Sequence, residues 1–289
     1  MISNEDLASW LQATNRRYGK ESVPHRRRPF LALCDFTRER NCSIPSDHPA
    51  AKFVFQWFYS HSPPEAHQVG SVYTSAYFYD TAFWPVSVPL VFGHASVDAF
   101  ECLETMPAGV KADMGTSPRH VEEYVNHWAN CMDYGYGQMD LSSGQTLDAR
   151  AAKIFGAAHA EILGANSQLL DARPNYKAIL SLRMATEIFL KAVLVQELDL
   201  SDLELKTISH TLEDAARKCA EATGESAFEE IANRAHVYPP VSARYDQSNW
   251  PPNEVWEAAS LAQSTAATAM RLYSDRDMRS QILPTKQDQ

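Results

Sequence analysis

Cysteine is scarce in this 289-residue sequence, and its spacing excludes two common kinds of site. The number of cysteines is odd, and no two of them form a Cys-x-x-Cys pair. A disulfide framework uses an even, clustered set, and a structural zinc site uses closely spaced pairs. We therefore expect free thiols in a reducing, cytoplasmic compartment. The five cysteines are Cys34, Cys42, Cys102, Cys131 and Cys219.

Long apolar segments are also lacking. The longest run, residues 82–92, contains Pro85 and Pro89 and is too short to cross a bilayer. The first residues, SNEDLASWLQATNRR, lack the apolar core of a signal peptide. The sequence therefore predicts no membrane association.

Several motifs of enzymes and cofactor proteins are missing as well. There is no glycine-rich phosphate loop in the first half, no GxSxG, no HExxH, and no carboxylate pair with a spacing that implies shared acid/base work. His127 and Cys131 have the i, i+4 spacing of two metal ligands, but two ligands do not make a site, and a structural role is favoured. We predict no metal, no cofactor and no legible catalytic set.

Positive charge is in deficit, with 26 Lys and Arg against 36 Asp and Glu and a net charge of −10. A polyanion would be repelled by most of such a surface. The charge is uneven, because residues 16–40 hold eight Lys and Arg against three acids. Within them Arg26, Arg27 and Arg28 predict a contact for phosphate or an acidic partner. The alternative is a solvated loop whose arginines pair with the protein's own carboxylates, and it is favoured.

Aromatic residues are concentrated in the first half, where 21 of the 30 lie before residue 150. Most fall in short β-prone runs: FLALCDF, VGSVYTSAYFYDTAFW, VSVPLVF and VDAFECL. AAKFVFQWFYSH fits a helix or a strand, and the helix is favoured. Rings at period two are more often the core of a sheet than a base-stacking platform. Alternation along the strands places two groups of side chains on two different faces. The first group is Val86, Val88, Leu90 and Phe92, and the second is Tyr73, Tyr77, Tyr79 and Phe83.

These patterns predict an α+β protein of two domains. An aromatic-rich mixed α/β domain over 1–140 would precede an all-α bundle over 147–275 and a polar tail over 276–289. Ser117 and Pro118 start a helix cleanly, and DYGYGQMDLSSGQT, residues 133–146, reads as the linker. Helices are predicted at 148–171, 175–197, 210–223, 225–237 and 253–274, with SARYDQSN as a non-helical insert.

The 175–197 segment, NYKAILSLRMATEIFLKAVLVQE, has an apolar stripe at intervals of three and four, with Glu187 and Lys191 one turn apart on its other side. ISHTLEDAARKC, the Arg-Tyr step of PPVSARYD and an alanine-rich helix follow it. In this order the pieces, spanning 149–273, resemble the HEPN domain, a small helical domain named for prokaryotic and higher-eukaryotic nucleotide-binding proteins. Ribonuclease members carry an Arg, four to six intervening residues and a His. This spacing is missing here, because only Ala235 separates Arg234 from His236.

The resemblance implies a dimeric helical module that binds RNA, a nucleotide or a protein partner. Candidate ligand contacts are His210, Arg244 and Tyr245, with Arg26, Arg27 and Arg28 outside the bundle. A structural role is favoured, in which His210 helps to cap its helix and Arg234 and Arg244 hold the loop through backbone carbonyls. The favoured hypothesis is non-catalytic binding. The alternative is a divergent metal-independent ribonuclease that uses His236, Arg234 and Arg244. Met184, Ile188 and Val195 lie outside the main apolar seam of 175–197 and favour a homodimer through the helical half.

Overall fold

A computed structural model describes residues 4–42, 44, 48–63, 71–91, 96–143, 147–208, 211–245 and 250–283. The chain divides into two units, residues 1–70 and residues 71–289. Its described part is mostly helical, with one two-stranded antiparallel sheet, and the fold class is therefore α+β. Within these residues no helix combines the length and the apolar character needed to cross a membrane.

The elements that the structure describes in unit 1, residues 1–70, are all helical. It contains α1 (Asn4–Lys20), a 3₁₀ turn (His25–Arg27), α2 (Arg28–Glu39) and α3 (Pro49–Ser60). Prolines in the first turns of α2 and α3 favour these helix starts, since no hydrogen bond is lost there. The three helices share a small apolar core made of Leu7, Leu11, Tyr18, Ala32, Phe36, Val54 and Phe58.

Two predictions for unit 1 have opposite outcomes. The helical reading of AAKFVFQWFYSH is confirmed by α3. The strand reading of FLALCDF is wrong, because this segment belongs to α2. Ala32 and Phe36, four residues apart, are buried, whereas Phe30 and Cys34 are exposed. The buried positions thus follow a helical period and not the alternation of a strand.

The sheet is a hairpin in unit 2, formed by β1 (Tyr73–Tyr79) and β2 (Ala82–Val88). Asp80 and Thr81 form its two-residue turn, and both have positive φ, as the favoured hairpin turns require. Directly opposite residues share a face, so the pairing of Tyr73 with Val88 puts the predicted tyrosine and valine sets together on one face. Phe83 pairs with Phe78 and lies on the other face, which corrects its predicted placement with the tyrosines. Leu90 follows the end of β2, and Phe92 lies outside the described residues.

The remaining elements of unit 2 are helices and short 3₁₀ turns. Ala99–Cys102, within the predicted strand run VDAFECL, is a 3₁₀ turn. Another, Val241–Tyr245, overlaps the start of the predicted non-helical insert. A third 3₁₀ turn, Ala235–Val237, follows α10. The helices are α4 (Ala108–Gly115), α5 (Pro118–Ser143), α6 (Ala149–Leu169), α7 (Ala178–Leu198), α8 (Asp202–Thr207), α9 (Leu212–Thr223), α10 (Ala227–Arg234), α11 (Pro252–Arg271) and α12 (Met278–Ile282).

The long helices of unit 2 pack around α7 and α11. Helix α7 contacts α6, α9 and α11, and α11 also contacts α5. Strand β1 packs against α5, α6 and α11, so the hairpin belongs to the same apolar core as the helices. A buried polar link joins them, because the amide of Gln263 on α11 accepts hydrogen bonds from the Tyr73 hydroxyl at 2.7 Å and the Ser75 hydroxyl at 3.1 Å.

The predicted linker at 133–146 is wrong over 133–143, where α5 continues without interruption to Ser143. Its glycines are packing residues. A Cβ on Gly135 would lie 3.0 Å from the Cβ of Tyr73, and a Cβ on Gly137 would lie 3.0 Å from the Cβ of Met270. These two glycines let β1 and α11 approach α5 closely. Composition alone does not distinguish glycines in such close contacts from glycines in a turn.

The division between the units also differs from the predicted one. The sequence places the boundary at 140–147, whereas the structural division falls at Gly70. The hairpin and α5 share one apolar core with the helices that follow. They therefore belong to the same unit as those helices. The polar tail expected after 275 includes α12, and residues 284–289 lie outside the described part.

Candidate functional site

Helix α7 carries a chain of three charged side chains at i, i+4 and i+8. Arg183 NH1 lies 3.3 Å from Glu187 Oε2, and Lys191 Nζ lies 2.7 Å from Glu187 Oε1. The side chains of Arg183, Glu187 and Lys191 are only 9%, 16% and 20% exposed. Since low exposure reduces screening by water, these pairs are stronger than ordinary surface pairs. The predicted Glu187–Lys191 pair is confirmed, and Arg183 extends it.

Next to this chain, Tyr238 joins the segment after α10 to α7 and α11. Its hydroxyl lies 2.6 Å from Thr186 Oγ1 and donates a hydrogen bond to the Ala258 carbonyl at 3.0 Å. Burial raises the pKa of Tyr238 well above its ordinary value. The Thr186 hydrogen bond and the positive charges of Arg234 and Arg183 act on this pKa in the opposite direction. Both guanidinium groups therefore lie close enough to influence the same buried hydroxyl.

Arg234 and His236 lie on either side of Ala235, where α10 gives way to a 3₁₀ turn. Arg234 is half-buried and makes no hydrogen bond or ion pair with any residue that the structure describes. His236 is exposed, and its Nδ1 lies 2.9 Å from the Asn233 carbonyl. Because a carbonyl only accepts, Nδ1 is the donor, and in the neutral ring Nε2 keeps its lone pair. This leaves one guanidinium and one imidazole nitrogen available to a ligand.

The other candidates of the helical half are described less fully. His210 lies outside the described residues. Arg244 and Tyr245 lie in the 3₁₀ turn Val241–Tyr245, and only their backbone is described. Whether they join Arg234 and His236 in one site stays a prediction.

In unit 1 the three arginines of HRRRP do not form a uniform set. Arg26 and Arg27 are exposed, whereas Arg28 is only 8% exposed. Arg28 Nε donates to the Val23 carbonyl at 2.9 Å, and its NH1 donates to Asn15 Oδ1 at 2.8 Å. The grouping of Arg28 with exposed ligand contacts is therefore corrected, since its guanidinium joins α1 to the start of α2.

His127 and Cys131 are both buried in unit 2. The His127 ring contacts Tyr77 and Trp256, with ring centroids 5.6 Å and 5.0 Å away. Desolvation lowers the pKa of His127 to about 3 and raises the pKa of the Cys131 thiol far above its usual range. Nowhere in the described part of the chain do three His, Cys, Asp or Glu side chains come together in a way that could hold a metal ion.

A groove of about 650 Å³ on unit 2 lies beside α5 and the start of α10. Glu122, Glu123 and Glu230 line it, together with Arg119 and Arg279. Arg119 pairs with Glu123 at 2.9 Å, so acidic groups outnumber free cations in this groove. A phosphate would be repelled there by the excess of acidic groups.

Sequence reasoning missed two members of the site around Arg234. Arg183 could have been found, because its i, i+4, i+8 spacing with Glu187 and Lys191 is visible in the chain. Tyr238 carried no such signal, since its contact with Thr186 joins residues 52 apart in sequence. Comparison of the chain with known protein families, with curated proteins and with solved structures finds no match.

Proposed function

We propose that this chain is a non-catalytic, HEPN-like binding protein whose helical half holds a phosphate-bearing ligand, either RNA or a nucleotide. The domain would cover the region 147–275 predicted from the sequence. Its ligand would lie at the junction of α7 and α10, with Arg234 and His236 as contacts and Arg183 behind them.

The observation that carries the proposal is the uncommitted guanidinium of Arg234. It is half-buried and has no hydrogen-bonding or ionic partner among the described residues. A partly desolvated cation without a counter-charge is unfavourable, and a phosphate would relieve this by accepting two parallel hydrogen bonds. His236 Nε2 could accept a hydrogen bond from a ribose hydroxyl.

Binding is tested by fluorescence anisotropy with a labelled 12-nucleotide single-stranded RNA and, separately, a labelled adenine nucleotide. We expect Arg234→Ala to weaken binding of the true ligand by about tenfold or more, because a hydrogen bond to a charged group is worth about 1.5–3 kcal/mol. The affinity of Arg234→Lys should lie between those of wild type and Arg234→Ala, since Lys keeps the positive charge but cannot form two parallel hydrogen bonds to a phosphate.

Arg173→Ala is the matched control, because Arg173 is an exposed arginine outside the site. It should change affinity less than twofold. Equal affinities for wild type and Arg234→Ala, or equal losses for Arg234→Ala and Arg173→Ala, would refute the site. Binding of an acidic protein in place of both phosphate ligands would refute the ligand class.

The non-catalytic part of the proposal is tested by incubating wild type with single-stranded RNA and transfer RNA without metal. Metal-independent cleavage needs a base for the 2′-hydroxyl and a cation for the phosphorane-like charge, both in contact with one phosphate. Arg234 and His236 are two residues apart in a tight helical turn, so their side chains diverge. We expect no cleavage. RNA cleavage by wild type that is abolished in both His236→Ala and Arg244→Ala would refute the non-catalytic proposal and support ribonuclease function.

A further inference from the structure

Unit 1 exposes aromatic side chains that its small core does not use. Phe30 is 67% exposed and Tyr59 is 54% exposed. Phe55 is half-buried and contacts Phe30 edge to face, with ring centroids 5.3 Å apart and an interplanar angle of 80°. This contact fixes the orientation of the Phe30 ring while two-thirds of the residue stays open to solvent. Large exposed aromatics in a cluster indicate a binding surface more often than isolated ones do.

The geometry of α2 and α3 brings these rings into one row. Phe55 and Tyr59 are four residues apart on α3 and therefore share a face, on which Lys52 also lies. His25 Nδ1 lies 3.0 Å from Ser62 Oγ, so the 3₁₀ turn before α2 lies beside the end of α3. Lys52 and Tyr59 are seven positions apart on α3, a distance of about 10 Å along the helix, which is room for two or three stacked bases at about 3.4 Å each.

The described charged side chains of α2 and α3 next to this row are basic. Arg26 and Arg27 are exposed, one helical turn before Phe30, and Lys52 is exposed on α3. Residues 25–34 and 49–60 contain no Asp or Glu. The next acid along the chain, Asp35, is already paired with Arg17 and Arg38. Unit 1 as a whole has nine Lys and Arg against seven Asp and Glu, a net charge of +2, and the rest of the chain carries −12.

We propose that this aromatic-basic face, formed by Arg26, Arg27, Phe30, Lys52, Phe55 and Tyr59, binds single-stranded nucleic acid. Phe30 stacks on an unpaired base, and the three cations contact the flanking phosphates. Stacking on an exposed ring tolerates every base, because every base has a flat π-face. A lipid surface is a poorer fit, because three rings give little apolar area to insert. The inference concerns unit 1 alone and stands whether or not Arg234 binds a ligand.

The experiment measures binding of the full chain to a fluorescein-labelled 12-nucleotide oligouridylate, to the corresponding DNA, and to a 12-base-pair RNA duplex. We expect the single strands to bind and the duplex to bind at least about tenfold more weakly, because its bases are already stacked. Phe30→Ala should weaken single-strand binding by about tenfold, whereas Phe30→Trp should retain it. Thermal unfolding of each variant checks that the fold is intact.

The cations are tested by the salt dependence. Removing Arg26 and Arg27 together should lower the slope of log affinity against log salt by about 1.4, the value for two phosphate contacts to a single strand. The control Arg38→Ala with Arg40→Ala removes two exposed charges from the other end of α2 and should leave the slope unchanged.

Three results would overturn the inference. One is equal affinity of wild type and Phe30→Ala for the single strands. Another is equal binding of duplex and single strand, because electrostatic attraction alone would then explain the affinity. The third is binding to phosphatidylserine vesicles, lost in Phe30→Ala, by a chain that binds no oligonucleotide. A loss in Arg234→Ala with none in Phe30→Ala would reject this face and keep the proposed function.

Discussion

Three consecutive arginines of unit 1 have different roles, and a stability measurement separates them. Arg28 is buried and makes two hydrogen bonds, one to a carbonyl and one to a side-chain amide, whereas Arg26 and Arg27 are exposed. We expect Arg28→Ala to lower the free energy of unfolding of unit 1 by about 2 kcal/mol, because it leaves the Val23 carbonyl and Asn15 unsatisfied. Urea unfolding of the full chain, followed by circular dichroism, measures this change.

The control is the double variant Arg26→Ala with Arg27→Ala. It should change the free energy of unfolding by no more than about 0.5 kcal/mol, as exposed substitutions usually do. Equal effects of the two variants would show that the contacts of Arg28 do not stabilise the unit. The sequence alone could not separate these arginines, because the distinction depends on Asn15 one helix earlier.

His127 makes the stability of unit 2 sensitive to acid. Its ring is buried against Tyr77 and Trp256, and desolvation lowers its pKa to about 3 in the folded state. The unfolded chain takes up a proton below pH 6.5, whereas the folded chain stays neutral until about pH 3. Stability is therefore lost as the pH falls below 6.5. The expected loss from this residue is about 2 kcal/mol by pH 5.

Urea unfolding at pH 7.5 and pH 5 tests this expectation with His127→Phe, which keeps a ring and cannot take up a proton. The difference in stability between the two pH values should shrink by about 2 kcal/mol in this variant. His236→Ala, which changes an exposed histidine, should leave the difference as it is in wild type. An unchanged pH dependence in His127→Phe would contradict the role assigned to the buried ring.

At the scale of elements, the sequence predicted helices whose apolar residues recur every three or four positions. It did not predict the structure of segments that were assigned from their residue composition. The predicted helices at 148–171 and 175–197 are confirmed by α6 and α7 with small shifts of their ends. FLALCDF failed because a run of apolar residues does not distinguish a strand from a helix by itself. The segment 133–146 failed because its glycines contact Tyr73 and Met270, which are far away in sequence.

The glycines of α5 and α6 provide a direct test of that explanation. We expect Gly135→Ala to destabilise unit 2 by about 1–2 kcal/mol, because the steric conflict with Tyr73 exceeds the gain in helix propensity. Gly164→Ala on α6 is the matched control, since nothing lies within 4 Å of its added Cβ. It should stabilise by up to about 1 kcal/mol. Thermal unfolding shows whether each variant is more or less stable than wild type. A Gly135→Ala variant that is more stable than wild type would refute the packing role of Gly135.

The site shows the same limit of sequence reasoning. The charged chain on α7 is local, so the Glu187–Lys191 pair was predictable from spacing, and Arg183 could have been added to it. The position of Tyr238 between α7 and α11 was not predictable, because two chain segments far apart in sequence supply its partners Thr186 and Ala258. Arg234 was singled out by residue type, but its lack of a described partner is visible only in three dimensions.

At the scale of the whole molecule, we expect a homodimer through the helical half. The residues predicted for this interface do not supply it, because Val195 is 3% exposed and is used within the chain, while Met184 and Ile188 are half-buried. Leu198 and Leu203 supply a better surface, since they are 49% and 73% exposed. Light scattering of the full chain should give twice the mass of one chain at micromolar concentration.

The exposed leucines make this expectation specific. Leu203→Glu should shift the equilibrium toward monomer, because a charge at an apolar interface is desolvated without a partner. Leu90→Glu, outside the helical half, is the control and should remain dimeric. A monomer in the wild-type protein would end the idea, and a dimer that tolerates Leu203→Glu would place the interface elsewhere.

The hydrogen bond between Tyr73 and Gln263 sets an order of events during synthesis. Its two residues are 190 positions apart, and α11 completes the core on which the hairpin lies. A ribosome adding about 5–20 residues per second leaves the hairpin without this partner for roughly 10–40 seconds. Residues 1–70 are synthesised before this interval begins, and their described core joins residues no more than 51 positions apart, from Leu7 to Phe58. Until α11 has been synthesised, the apolar face of the hairpin lacks one of the helices that cover it.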